Sequence, residues 1–184
     1  MSDPDDLTAF WDEAWQPLMR GAPDSRSPAR YPAFGTVSPD GVPEVRTVAL
    51  RRAAPSTATL EVHTDTQTAK IAALQARPVA ALHVWLAKPK VQIRVTADVT
   101  IQTGDAVEEA WSRVPEGSRV SYGTRPDPGT PIDAVFDYEK PPERARFAVL
   151  TCAARYIDLV HLGTPHRRAG YSRSDSWRGS WLAP

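Results

Sequence analysis

The sequence predicts a mainly β fold with helices: a mostly antiparallel β-barrel against which a few helices pack. Residues 91–101 alternate apolar and polar side chains without a break, as a strand with one buried face does. Predicted strands also outnumber predicted helices. The helices that could connect strands are too few for an alternating β–α–β chain, so we expect antiparallel pairing.

The first predicted element is a helix over about residues 3–20. Asp3 and Pro4 supply an N-cap acceptor and a proline at the first helical position. Apolar residues then recur at helical spacing along one stripe, namely Leu7, Phe10, Trp11, Ala14, Trp15 and Leu18. We expect this stripe to pack on the core.

The barrel is expected over about residues 31–184. A hairpin joins a strand ending at Val37 to a strand over 43–52, across the turn Ser-Pro-Asp-Gly at 38–41. The later predicted elements are a strand over 57–64, a helix over 66–76, strands over 79–86 and 91–101, a helix over 104–114, one or two strands over 147–162, and a short last strand from Tyr171 with 177–182.

The segment 115–142 contains six of the 18 prolines, which excludes a continuous helix or a central strand. We expect an ordered surface excursion with a short turn of helix. Neither an internal repeat nor a flexible linker is recognisable. The sequence therefore predicts one domain over residues 1–184.

The composition excludes several classes of function. The 22 basic and 22 acidic residues cancel, so no global field gathers nucleic acid or an anionic membrane. No apolar run reaches the roughly 18 residues of a membrane helix. The first six residues include three aspartates, whereas a secretory signal begins with basic residues. The single cysteine, Cys152, is expected to be a buried small residue. A cytoplasmic protein without a catalytic metal fits these features.

Polar side chains gather on neighbouring strands. Arg46 and Arg51 are predicted on opposite faces of one strand, and a loop after the next strand leads to Thr68 and Lys70 at a helix start. A helix N-terminus presents unpaired N–H groups, which together with Arg46, Lys70 and the hydroxyl of Thr64 suit a phosphate group. The spacing alone also fits two solvated surface charges.

Three segments resemble successive signatures of the pyridoxamine 5′-phosphate oxidase family, in that family's order and at similar separations. They are residues 46–51 (Arg-Thr-Val-Ala-Leu-Arg), 63–70 (His-Thr-Asp-Thr-Gln-Thr-Ala-Lys) and 91–95 (Val-Gln-Ile-Arg-Val). The end of the chain, residues 177–184, is similar to that family's tryptophan-containing terminus. The resemblance is strongest to the shorter FMN-binding branch of the family.

The resemblance implies an FMN-binding split barrel with FMN in a groove at a homodimer interface. It implies that Arg46 and Lys70 hold the FMN phosphate, that Thr64 binds the phosphate or ribityl chain, and that the backbone of Val48 and Leu50 passes close to the flavin. The other cofactor-binding positions it implies are Arg51, His63, Thr68, Gln92 and Arg168.

Gln92 matches the family residue that binds the edge of the isoalloxazine ring, from the other half of the groove. The strand alternation puts Gln92 opposite the apolar stripe, outside the barrel. An exposed strand glutamine is the alternative. We expect Arg46, Lys70 and Gln92 to share an outward polar face that a second copy covers.

Departures from the family pattern fall mainly in the substrate half of the site. Ala69 replaces an arginine of the phosphate clamp, and Thr164 stands where a substrate-binding arginine belongs. His166 and Arg168 match the family pattern. Arg113 is the residue of this chain that corresponds to the family's arginine for the substrate phosphate. The loss of a cationic donor argues against pyridoxamine phosphate as the substrate.

The resemblance therefore implies an FMN-dependent oxidoreductase acting on another small molecule, with NADPH or NADH as a candidate donor. His166 could act as an acid or base near neutral pH, or be an exposed loop histidine. Two alternatives stay open at this point: a non-catalytic module that binds flavin or haem, and an F420-dependent reductase of the same fold.

Overall fold

A computed structural model describes residues 5–184, so the predicted helix start at Asp3 and Pro4 lies outside the described residues. Helix α1 (Leu7–Gly21) follows Asp6, whose side chain accepts hydrogen bonds from the N–H groups of Thr8 and Ala9. The predicted apolar stripe is confirmed. Its central residues are buried: Phe10, Ala14, Trp15 and Leu18.

Within residues 5–184, nine strands form one sheet in which every neighbouring pair is antiparallel. They are β1 (Ala33–Val37), β2 (Pro43–Thr47), β3 (Leu50–Ala54), β4 (Thr59–Asp65), β5 (Val79–Leu86), β6 (Val91–Gln102), β7 (Phe147–His161), β8 (Arg167–Ser172) and β9 (Ser180–Trp181). The order is β2-β1-β5-β6-β7-β4-β3, with β8 beside β7 and β9 beside β8. The consecutive strands β2 and β3 lie at the two ends of this order. The sheet is therefore a barrel that stays open between them, a split barrel.

The remaining helices are short: α2 (Ala69–Ala76), α3 (Glu108–Ser112) and α4 (Glu116–Arg119). Turns of 3-10 helix occupy Pro28–Arg30, Pro55–Thr57, Gly104–Val107, Arg144–Arg146 and Arg173–Asp175. Among the described residues, no helix is long and apolar enough to cross a membrane.

Alternation along β5 and β6 sorts the side chains into two faces. The inner face, which carries Phe34, Leu82, Ile93 and Leu150, forms the main core with α1. A smaller aromatic cluster on the other side of β7 joins Phe147 and Val149 to Trp111 and Tyr122. Cys152 is fully buried, as predicted, and burial raises the pKa of its thiol to about 12.

Two strand predictions were wrong. The expected strand over 43–52 is two strands, because the chain leaves β1 after Thr47 and the N–H of Val48 donates to the Pro32 carbonyl. Strand β3 then pairs with β4 instead. The single last strand predicted from Tyr171 with 177–182 is two paired strands: β8 contains Tyr171, and β9 lies within 177–182. The start of β8 was missed because its buried residues, 169–171, are consecutive and do not alternate.

Helix α2 begins at Ala69, three residues after the predicted start. Residues 65–68 form a turn in which the Thr68 N–H and hydroxyl both donate to the Asp65 carbonyl. The predicted helix over 104–114 is a 3-10 turn followed by α3, and the strand over 147–162 is a single strand. The hairpin at 38–41 is confirmed.

The proline-rich excursion contains α4, as predicted, and then a projecting loop. Arg125 and Glu139 exchange two backbone hydrogen bonds of 2.8 Å, which close the base of residues 126–138. We call residues 126–138 the arm. Residues 129–140 are all exposed, so most of the arm extends away from its own chain.

Candidate cofactor site

Arg46 lies on the inner face of β2, at the opening of the split. It pairs across strands with Phe34 of the core, and directly paired residues share a face. Its Nη1 donates to Thr36 Oγ1 (2.6 Å) and its Nη2 to Glu44 Oε2 (2.7 Å). These two contacts fix the guanidinium, and Glu44 neutralises part of its charge.

The hydroxyls of Thr64 and Thr68 and the ammonium of Lys70 form the other side of the split. Thr64 Oγ1 lies 2.9 Å from Lys70 Nζ and 3.2 Å from Thr68 Oγ1. Thr68 is the N-cap of α2, and its side chain makes no capping hydrogen bond. The first N–H groups of α2 therefore share this place with two hydroxyls and a cation, which is the donor set of an anion site.

Lys70 and Arg46 are close enough to interact electrostatically. Burial lowers the pKa of Lys70 most, the charge of Arg46 lowers it further, and Asp65 opposes both effects. Two cations held near each other in a half-buried split are stabilised by an anion that contacts both. We call Arg46, Thr64, Thr68 and Lys70 the phosphate cluster.

A buried ion pair holds the turn that carries the phosphate cluster. Asp65 is 3% exposed, and its Oδ1 accepts hydrogen bonds from Arg146 Nε (3.1 Å), Arg146 Nη2 (3.0 Å) and the Gln67 N–H (2.8 Å). Its Oδ2 accepts from the Gly123 N–H at 2.8 Å. Arg146 also donates to the Thr124 carbonyl. The turn 65–68 and the segment leading into the arm are thus fixed by one carboxylate.

The prediction that Arg46, Lys70 and Gln92 share an outward polar face was wrong. Gln92 pairs with Trp85, which lies on the face opposite to the core, whereas Arg46 pairs with the core residue Phe34. The register of β6 confirms that Gln92 lies outside the barrel, but it puts the two residues on different faces of one sheet. The pattern of a single strand could not show this, because the face of Arg46 depends on its pairing with β1.

Gln92 belongs to a row of directly paired residues on the outer face, running Trp85, Gln92, Val160 and Arg168. We call the outward side of β5–β8 the outer face. Gln92 Oε1 lies 3.3 Å from His83 Nε2, and among the described residues its amide nitrogen has no partner. The structure therefore brings Gln92 and Arg168 to the same face, where an amide donor is free.

Arg168 is held by a carboxylate that the sequence analysis did not single out. Asp158 is 5% exposed, and its Oδ2 accepts from Arg168 Nη2 (2.9 Å) and Arg94 Nη2 (2.8 Å). This contact raises the pKa of Arg168. His166 is exposed at the start of β8, near Trp181, and is not brought to the phosphate cluster of its own chain.

Arg51, His63 and Arg113 come together elsewhere, in a groove of about 690 Å³ between β3–β4 and α3. His63 Nε2 lies 2.9 Å from Glu61 Oε1, and this contact, more than any other effect, lowers the pKa of Glu61. Arg30 also lines the groove. The spacing of Glu61 and His63, two residues apart on one strand, is the signal that could have revealed their pairing.

The backbone groups of Val48 and Leu50 are partly occupied. The Val48 N–H donates to Pro32, and the Leu50 carbonyl accepts from Arg30 Nη1 at 2.6 Å. Leu50 is fully buried in the core and Val48 nearly so. A ligand that contacts the backbone here would therefore use other N–H and carbonyl groups of residues 48–50.

Comparisons with known proteins agree with this fold. Residues 11–103 match the family model described as pyridoxamine 5′-phosphate oxidase, FMN-binding domain. A pyridoxamine 5′-phosphate oxidase-related, FMN binding protein from Nostoc punctiforme has a similar structure. It is 28% identical, with a TM-score of 0.75, and the match covers 94% of this chain and 96% of that one.

Two further solved structures share the fold at lower identity. PhzG from Burkholderia lata, in complex with tetrahydrophenazine-1-carboxylic acid, has a TM-score of 0.73 at 16% identity, covering 99% of this chain and 95% of that one. A Clostridium acetobutylicum protein related to general stress protein 26 has a TM-score of 0.62 at 13% identity, covering 92% and 98%. No curated protein matches the chain.

The fold and the matched residues define an FMN-binding split barrel. The chain belongs to the pyridoxamine 5′-phosphate oxidase family, through its FMN-binding domain.

Proposed function

We propose that the protein is a homodimeric, FMN-dependent oxidoreductase whose substrate is not pyridoxamine phosphate. The observation that carries the proposal is the phosphate cluster: two cations, two hydroxyls and a helix N-terminus meet in the split of a chain that belongs to an FMN-binding family. A cytoplasmic location is part of the same proposal.

The donor set of the split fits the phosphate of FMN. Arg46, whose charge Glu44 partly neutralises, and Lys70 would donate charge-assisted hydrogen bonds to its oxygens. The Thr64 hydroxyl would donate a further hydrogen bond, and the Thr68 hydroxyl, which donates to the Asp65 carbonyl in the structure, would do so after rotating about its C–O bond. Bound FMN would supply hydride-transfer chemistry, while the protein binds and orients the ring. The backbone of Val48 and Leu50 would border the flavin at the 48–49 bend.

The faces of the sheet support a site built from two copies. The phosphate cluster is on the inner face, whereas Gln92 and Arg168 are on the outer face. One chain therefore does not present both halves to one flavin. A second copy, packed with its outer face over the split, would supply Gln92 to the ring edge and Arg168 beside it.

The groove that holds Arg51, His63 and Arg113 is the proposed substrate side, in place of the cofactor contacts that the resemblance implies for Arg51 and His63. Its four guanidinium groups outnumber the carboxylates of Glu61 and Glu109, which suits an anionic substrate. Arg51 Nε and His63 Nδ1 are buried without a partner among the described residues. The absence of an arginine at Thr164 disfavours pyridoxamine phosphate. His166, contributed by the second copy, is the proposed acid or base.

Spectroscopy of the purified protein tests the proposed function. We expect a flavin absorption band at one FMN per chain and anaerobic bleaching of that band by NADPH or NADH. A Soret band would replace the proposal with haem binding. FMN that stays oxidised with both donors would indicate a passive flavin carrier.

The pH dependence of FMN binding tests Lys70. Because burial and Arg46 lower the pKa of Lys70, its charge is lost at a lower pH than that of an ordinary lysine. We expect FMN affinity, measured by quenching of flavin fluorescence, to fall with rising pH, and the fall to begin below the pH of about 10.4 at which an ordinary lysine loses its charge. Lys70→Arg should flatten the profile, since arginine keeps its charge. A flat wild-type profile would contradict this assignment.

Gln92 should tune the flavin rather than anchor it. A donor at the ring edge stabilises negative charge on the reduced ring, so Gln92→Leu should make the midpoint potential more negative by about 30–60 mV, the equivalent of one hydrogen bond to a charged group. Affinity for oxidised FMN should change little. Gln102→Leu, on the same strand but distant from Trp85, is the control, and equal potentials in all three proteins would exclude the role.

A further inference from the structure

The arm carries four exposed large apolar side chains. Val135 is 71% exposed and Phe136 is 79% exposed, and Ile132 and Tyr138 are more than 40% exposed. These four side chains lie within seven consecutive residues. An exposed apolar patch on an ordered segment marks a surface that another molecule covers.

The base of the arm is fixed beside the phosphate cluster. The Asp65 carboxylate binds the Gly123 N–H, and Arg146 binds both the Thr124 carbonyl and Asp127 Oδ1 (3.0 Å). The turn after Asp65 carries Thr68 and leads into α2. The split and the base of the arm are therefore joined through the turn 65–68.

The outer face has the complementary chemistry. It exposes the apolar side chains of Trp85 (41%), Tyr156 (37%) and Leu182 (37%) around the paired row of Gln92 and Arg168. Leu182 lies on this face because it covers Gly170, opposite Asp158.

The charges of the two surfaces are opposite. The arm contains three aspartates and no basic residue. Asp127 is paired with Arg146, whereas Asp133 and Asp137 are exposed. On the outer face Arg94 and Arg168 share one carboxylate, that of Asp158, and the exposed lysines of the β5–β6 turn lie at the edge of this face. Opposite charge and apolar surface on both sides select this face as the partner of the arm.

We propose that the arm of each copy docks on the outer face of a second copy of this chain and so clamps the dimer across the flavin groove. The inference rests on the proposed two-copy site, because that site turns the outer face of one copy toward the split of the other. The reciprocal contact gives the dimer two arms and a two-fold interface.

Substitution of two exposed apolar residues of the arm tests the proposed docking of the arm on the outer face of a second copy, which we call the clamp. Val135→Ser with Phe136→Ser should weaken the dimer about a hundredfold, measured as the dissociation constant by sedimentation, since two apolar side chains per copy return to water. The control, Met19→Ser with Val42→Ser, alters two exposed apolar residues outside the arm and should leave the constant unchanged. An unchanged constant for the arm variant would overturn the proposal.

Cross-linking tests the location of the contact. Cys152 is buried and unreactive, so an introduced cysteine is the only accessible thiol of the chain. A chain with Phe136→Cys is mixed with a chain with Leu182→Cys, and a short bis-maleimide is added. We expect a cross-linked heterodimer, because neither chain can form this product alone. A Val42→Cys chain replacing the Phe136→Cys chain should be modified by the reagent without forming the cross-linked heterodimer, and equal yields of heterodimer from both mixtures would overturn the proposal.

The outcomes separate this inference from the proposed function. Wild-type protein that binds FMN as a dimer, together with an arm variant of equal dimer affinity, would remove the clamp alone. Wild-type protein that binds FMN as a monomer would remove both the two-copy site and the clamp. Wild-type dimer without FMN affinity, but weakened by the arm substitutions, would keep the clamp and remove the cofactor assignment.

Discussion

Replacing Arg46 and Lys70 together by alanine is expected to weaken FMN binding about a thousandfold while the protein stays folded. Each side chain would make a hydrogen bond to a charged phosphate, and such bonds contribute about 1.5–3 kcal/mol. The loss of two corresponds to about two to four powers of ten in the dissociation constant. Titration of the apoprotein with FMN, followed by flavin fluorescence, measures the change.

The fold should tolerate this double substitution because both side chains are at the open split, not in the core. Lys70 binds only Thr64 among the described residues, and Arg46 caps polar groups of β1 and β2. Arg20→Ala with Lys140→Ala removes the same two charges from exposed positions and should leave the affinity unchanged. Equal FMN affinity in the wild-type and Arg46→Ala, Lys70→Ala proteins would rule out the phosphate cluster.

The parts of the fold that local pattern determines could be predicted from the sequence. Strand β6 alternates along its whole length, and the turn at 38–41 carries the residues of a tight hairpin, so both were found with nearly correct bounds. Part of the phosphate cluster could also be predicted, because Thr64 and Lys70 are close to each other in the chain. Thr64 is the last residue but one of β4 and Lys70 is the second residue of α2, and a chain that reverses in a short turn brings them together.

Features that depend on pairing between distant strands could not be predicted. The break at 48–49 arises because β2 pairs with β1 while β3 pairs with β4, and no local signal separates these strands. The face of Arg46 follows from the same pairing. The role of Asp158 could not be predicted for another reason: its two arginine partners are 64 and 10 residues away in the chain.

Breaking the ion pair between Asp65 and Arg146 is expected to have the largest effect on stability. Their side chains are 3% and 10% exposed, and removal of one partner leaves the other charge buried without compensation. Arg146→Met should lower the free energy of unfolding by about 3–5 kcal/mol, measured by urea denaturation. Arg26→Met, which removes an arginine whose partner Asp24 is also exposed, should have no measurable effect.

The same pair should couple stability to the cofactor site, which distinguishes it from a contact that only supports the core. Asp65→Asn with Arg146→Met should be less destabilising than the sum of the single substitutions, because no buried charge is then left alone. The affinity of the double variant for FMN should nevertheless be lower than that of the wild-type protein. The turn 65–68 and the segment before the arm both depend on carboxylate contacts that an amide reproduces only in part. Recovery of stability together with full FMN affinity would show that the pair does not position the phosphate cluster.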